Sequence, residues 1–281
     1  MHERNRQRLV LAAILAAAVV AAVIAVELRP REPFGFGRHD EQEWVRIFHD
    51  DFDGGTLDRS VWNTCHWWDD GGCTIASNEE LQWYLPTQVS VADGTLRLTA
   101  AREPVEASDG ERYEFRSGMV TTGPPEHDGT PRFDFTYGRV EARVRVPPGK
   151  GLWSAFWMLP SSEESRPEID ILESLGDSTS TWRFHFHPED RQRTSDGHDI
   201  EGPDASGGWH DIGVDWEPGR IRWFIDGEEV WKVEGDHVPD EPMYLVANLA
   251  VGGVYPGSPG EDTEFPATYE IERVTVWQRS T

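Results

Sequence analysis

Three carboxylates stand close together in Glu168-Ile-Asp-Ile-Leu-Glu173. On a regular strand Glu168 and Asp170 point to one side, while the odd spacing turns Glu173 away. One β-bulge near Ile171–Leu172 corrects this and predicts all three on one face, with Ile169 and one of Ile171 or Leu172 in the core behind them. Like charges at this spacing raise at least one pKa, a feature of working sites. The matching chemistry is glycoside cleavage. One carboxylate attacks the anomeric carbon and a second, kept protonated, donates to the leaving oxygen; in the retaining form the two carboxyls stand about 5–5.5 Å apart. Cα atoms four strand steps apart are separated by about 13 Å, so the two glutamates must lean together, which a concave sheet favours. A chain with 51 acidic residues also produces such spacings by chance on solvated edges. The elements around the motif therefore carry weight.

From Trp44 onward the chain alternates with period two between turn residues, in GTLRLTA (94–100), GRVEARVRV (138–146), RPEIDILES (166–174), RIRWFIDGEEVWKV (220–233) and YEIERVTVW (269–277). In 138–146, Arg139, Glu141, Arg143 and Arg145 share one face, while Val140, Ala142, Val144 and Val146 share the other. Asp226–Gly227 is a hairpin signal. No amphipathic helix of three turns follows residue 27, and neither a repeat nor a composition shift divides residues 43–281. Many short antiparallel strands predict an all-β sandwich or barrel.

The formal charge of −25 argues against nucleic acid, anionic membrane surfaces and polyanionic substrates, and is indifferent to a neutral polymer. Arg4, Arg6 and Arg8 precede an apolar run from Leu9 to Val26. Residues 1–26 therefore read as a signal peptide or N-terminal membrane anchor, the membrane being touched only through this segment. Residues 27–42 read as a Pro-, Arg- and Gly-rich linker. The remainder is expected to be extracytoplasmic, secreted or anchored. In that setting Cys65 and Cys73 are expected to form a disulfide around a Gly-Gly loop. Metal binding by the same pair lacks a second Cys or His pair at zinc spacing.

NEELQWY (78–84), GLWSAFWMLP (151–160), EIDILE (168–173) and NLAVGG (248–253) follow one another in the order found in the family-16 glycoside hydrolases, the laminarinase and lichenase group, which residues 44–281 resemble throughout. The resemblance implies a concanavalin-like jelly roll, two curved antiparallel sheets with a substrate cleft on the concave face. It implies Glu168 as nucleophile, Asp170 as the assisting carboxylate and Glu173 as acid/base, and the longer E-x-D-x-x-E form resembles the β-1,3-glucanase branch. Pro167 departs from the Gly common there. For substrate contacts it implies Asn78, Glu114, Arg116, Trp157 as the floor of the sugar site with Trp153 beside it, His185 and His187, Asn248, and Tyr255 where relatives often carry Trp. It also leaves a structural calcium at Glu272 as an option, although the chemistry requires no cofactor.

The expected activity is retaining endo-hydrolysis of internal β-1,3 linkages in a neutral β-glucan by a monomer. A β-galactan hydrolase, a transglycosylase remodelling exopolysaccharide, and a non-catalytic lectin-like glucan binder are the alternatives, because the fold alone does not set function.

Overall fold

Residues that alternate between apolar and polar build a sheet with one face turned inward, and this chain builds two. The computed structural model describes residues 44–65, 73–162 and 164–280; the expected signal or anchor segment and linker (1–42) lie outside the described residues. Among the described residues no helix is long and apolar enough to cross a membrane, and the only helices are two 3₁₀ turns, Ala76–Asn78 and Pro86–Gln88.

One sheet has six strands in the order Asp196–Glu201, Thr181–His187, Glu168–Leu175, Leu152–Pro160, Met243–Val251 and Met119–Thr121. The other has eight. Its path runs Glu228–Glu234, Arg220–Ile225, His210–Glu217, Gly138–Arg145, Ala267–Arg279, Thr95–Ala100 and Val89–Ala92, with Trp44–Asp50 also paired to the long strand Ala267–Arg279. Neighbours are antiparallel throughout both sheets. The jelly-roll expectation holds.

The main core lies between the sheets. Phe156, Ile169, Leu172, Phe184 and Leu245 from the six-stranded sheet meet Val140, Val144, Trp216, Trp223 and Ile271 from the eight-stranded one. A smaller cluster of Trp83, Tyr84, Met119, Ala155, Trp157, Tyr244 and Val246 lies on the other face of the six-stranded sheet. It covers that face over the strands bearing Trp157 and Asn248, and the strands bearing Glu168 and His185 stay open.

Period-two reading locates strands with one wet face, as in Gly138–Arg145, where Arg139, Arg143 and Arg145 reach water and Val140 and Val144 are fully buried. The Asp226–Gly227 hairpin forms with both residues at positive φ (49° and 87°), the geometry of a type I′ turn. Met243–Val251 escapes such reading because all nine residues are buried, and a strand covered on both faces shows no alternation.

Candidate active site

The bulge that the carboxylate spacing demands is present. Against the strand Leu152–Pro160, Leu172 pairs with Phe156 and Asp170 with Trp157, so Ile171 is the extra residue. Against Thr181–His187 the same shift separates Asp170, opposite His185, from Glu173, opposite Arg183. Glu168, Asp170 and Glu173 thereby reach one cleft, while Ile169, Ile171 and Leu172 are all fully buried behind them. Burying each of these apolar side chains contributes about 1.5–3 kcal/mol, enough to hold the strand against three adjacent carboxylates. A further tie comes through the core: Trp223 Nε1 donates to the Asp170 carbonyl at 2.8 Å, giving the bulge backbone a partner from the opposite sheet.

The cleft has a volume of about 620 Å³. Two histidines from the next strand face the acids. His185 Nδ1 is bonded to Glu173 Oε2, and His187 Nε2 stands 3.4 Å from both Glu168 Oε1 and Asp170 Oδ2. Ser195 Oγ holds His187 Nδ1 at 2.6 Å. Burial, reinforced by the charge of Asp170, pushes Glu168 well above the usual carboxylate range. Burial and the neighbouring Glu173 do the same to Asp170. Burial opposes charge on His185, yet the bonded Glu173 outweighs it and raises the imidazole. For His187 burial wins and the pKa falls.

The aromatic side differs from expectation. Trp157 lines the cleft but is only 7% exposed, and its Nε1 donates to Asn248 Oδ1 at 2.8 Å. The more accessible rings are Trp153 and Tyr255, edge to face with centroids 5.1 Å apart. Asn248 is buried, its Nδ2 donating to the Tyr84 hydroxyl at 3.0 Å, so it ties Trp157 down rather than presenting a free amide. Tyr84 in turn reaches Glu80, which also accepts from Gln82 at 2.6 Å and from Asn78 at 3.1 Å. Burial raises Glu80 despite these donors. Glu80 and Ser195 were absent from the sequence expectations; the Asn78 block contains Glu80, but only its burial among donors singles it out.

Glu114 and Arg116 are not among the residues lining the cleft. Glu114 is exposed and pairs with Arg112 at 3.3 Å, while Arg116 pairs with Glu103 at 3.4 Å and donates to the Pro104 carbonyl. Glu272 does not suit calcium. Arg143 Nε lies 2.8 Å and Arg273 Nη1 3.6 Å from its carboxylate, cations where calcium needs oxygens. Cys65 and Cys73 are bonded, and the Cys73 carbonyl accepts from Tyr84 N at 2.7 Å, joining the disulfide to the strand that carries the buried network.

A family model for glycosyl hydrolases family 16 matches residues 77–273. A beta-glucanase of Rhodothermus marinus is 33% identical over 261 residues, 84% of this chain and 85% of that protein. The endo-1,3-1,4-beta-glycanase ExsH of Rhizobium meliloti (strain 1021) is 35% identical over 77% of this chain; the chain spans about half of that relative's length (47%). The catalytic domain of an endo-1,3-beta-glucanase (laminarinase) from Thermotoga petrophila RKU-1 superposes with a TM-score of 0.76 at 30% identity, covering 85% of this chain and 99% of that one. The chain belongs to glycosyl hydrolases family 16.

Proposed function

We propose that this protein is a retaining endo-glycosidase that cleaves internal β-1,3 linkages of a neutral β-glucan by double displacement, outside the cytoplasm. The observation that carries the reading is the bulge at Ile171, which turns three carboxylates of one strand into one cleft. Glu168 attacks the anomeric carbon, and the glycosidic oxygen leaves with the proton held between Glu173 Oε2 and His185 Nδ1. Esterification of Glu168 removes its negative charge from the cluster. Glu173, having given up its proton to the leaving group, takes one from the incoming water, which attacks the anomeric carbon and breaks the ester to release Glu168 as the carboxylate. Asp170, between the two and pushed upward by burial, carries a proton toward its neighbours and limits the charge accumulated in the site.

The Trp153–Tyr255 edge offers apolar surface to a flat sugar face. The net charge of −25 disfavours sulfated or uronic chains. The names of the relatives, a beta-glucanase and a laminarinase, support the glucan assignment. The disulfide supports export, with residues 1–26 as the signal or anchor.

Proton NMR during the first minutes of laminarin hydrolysis tests the reading. The β anomer of the new reducing end is expected first, before mutarotation. An α anomer first excludes double displacement, faster release from a sulfated galactan excludes the substrate, and binding without new reducing ends excludes catalysis.

A further inference from the structure

The acid–histidine cluster has a gap of a particular size. His187 Nε2 lies 3.4 Å from Glu168 Oε1 and 3.4 Å from Asp170 Oδ2, and one donor atom from each of the three residues falls within 4.8 Å of the others. Ligands bound at about 2.0–2.1 Å to a tetrahedral zinc ion stand about 3.3–3.4 Å apart, so two edges of this triangle already match that polyhedron. Asp170 is 4% exposed, and its buried Oδ2 has no hydrogen-bond partner, an oxygen aimed into the triangle with nothing to satisfy it. Ser195 Oγ, 2.6 Å from Nδ1, holds the imidazole ring with Nε2 turned to the same point, and when Nδ1–H donates to that hydroxyl the lone pair is on Nε2.

We propose that Glu168, Asp170 and His187 form a binding site for a late first-row divalent cation, and that its occupancy closes the cleft to the glycan. Two carboxylates with one imidazole nitrogen favour zinc or copper over calcium or magnesium, which want oxygen ligands alone. The cation neutralises both carboxylates and leaves its fourth position toward the cleft for water. The neighbouring trio of Asp170, Glu173 and His185 does not compete, because Glu173 and His185 are already in direct hydrogen-bond contact and leave no room between them. Asp170 belongs to both trios, so one ion is held at a time.

Calorimetric titration of the chelator-stripped full chain with zinc chloride tests this without any substrate, so its outcome is independent of the glucanase reading. One ion per chain is expected. His187→Ala and His187→Gln are both expected to weaken it at least ~100-fold, and Ser195→Ala about 10-fold, while His185→Ala retains it. Near-UV circular dichroism verifies that each variant is folded. An affinity unchanged in both His187 variants, or lost only with His185, overturns the site. So does a series of equivalent weak ions untouched by any of them. On laminarin, zinc is expected to raise the apparent KM with kcat unchanged. A fall in kcat at constant KM overturns the blocking of the cleft.

Discussion

Both sheets carry charged side chains on the face turned away from the shared core, and they treat the charge in opposite ways. On the eight-stranded sheet, acids and bases sit opposite one another across the ladder. Arg139 faces Asp215 and Arg143 faces Asp211. Asp211 accepts from Arg143 at 2.7 Å and from Arg273 at 2.5 Å, and Glu270 holds both Arg145 and Arg97. On the six-stranded sheet Glu168, Asp170 and Glu173 face His187, His185 and Arg183. Arg183 turns away to Ser178 and Asp199, leaving only the histidines against the acids among the described residues. Along one strand, GRVEARVR and EIDILE both alternate charged with apolar residues, the first mainly basic and the second wholly acidic. What separates a structural face from a working one is the kind of partner: permanently charged arginines pair with the carboxylates on one face, while titratable histidines contact acids that stack along a single strand on the other. Paired charges stabilise; stacked like charges hold protons and cost stability.

The largest expected effect follows from removing one of the stacked charges. Glu168→Gln should lower kcat/KM on laminarin by about 10⁴-fold or more, because the amide cannot form the glycosyl ester. The same change should raise thermal stability at neutral pH. Burial and Asp170 hold the folded-state pKa of Glu168 above its unfolded value near about 4.3. Its stabilising, protonated form is fully present below that unfolded value and is lost as pH rises through the folded pKa. The melting temperature of Glu168→Gln should therefore gain on wild type from about pH 4.3 upward. In wild type the acid limb of kcat/KM should lie above the ordinary carboxylate range for the same reason. A variant that is both inactive and less stable at pH 7 would show Glu168 to be a structural ligand of its neighbours.

The opposite sheet provides the converse. Asp215 is wholly buried between Arg139 at 3.5 Å and Arg222 at 2.5 Å. Asp215→Asn should cost about 2–4 kcal/mol in urea denaturation; the arginines partly reach water, which keeps the loss toward the lower end. Turnover should stay within about twofold of wild type, since no group in the cleft touches this pair. Loss of activity out of proportion to stability would erase the distinction between the two faces.

How much of this was visible in one dimension depends on whether a residue's partners are local. The bulge was readable because Glu173 sits at the wrong parity for a regular strand; the parity predicts Ile169 and one of Ile171 or Leu172 in the core, whereas all three are fully buried and Asp170 and Glu173 are themselves largely covered. The hairpin at Asp226–Gly227 was readable because positive φ at both positions selects those residues. By contrast, Glu114 and Arg116 sat in a suggestive pair yet lie outside the cleft, Glu114 exposed and Arg116 half-buried against Glu103 and the Pro104 carbonyl, since nothing local says which sheet edge they border. Trp157 and Asn248 share a cleft lining but are spent on each other, a fact set by the pairing of Ala155 with Asn248 and by Tyr84 arriving from a distant segment. Met243–Val251, buried on both faces, carried no period to read.

The smallest expected effect tests whether the core holds the bulge in place or merely lies behind it. Trp223 and Trp216 are both fully buried tryptophans of the eight-stranded sheet, and each donates its indole N–H to a carbonyl. Trp223 reaches Asp170 at 2.8 Å, inside the catalytic strand, whereas Trp216 reaches Pro239 at 3.0 Å, in a loop away from the acids. Replacing either with Phe removes one buried hydrogen bond and leaves a carbonyl unsatisfied, at about 1–3 kcal/mol plus the volume lost. The two variants should thus be destabilised alike. They should differ in activity. Without its N–H donor the Asp170 carbonyl is free to rotate, the bulge relaxes, and the carboxylates drift from attack geometry, a displacement that lowers kcat about tenfold or more while leaving KM nearly unchanged. Trp216→Phe should keep wild-type kcat at temperatures where it stays folded. Equal kcat in the two variants would mean that Ile169, Ile171 and Leu172 alone fix the bulge, and that the indole of Trp223 serves packing only.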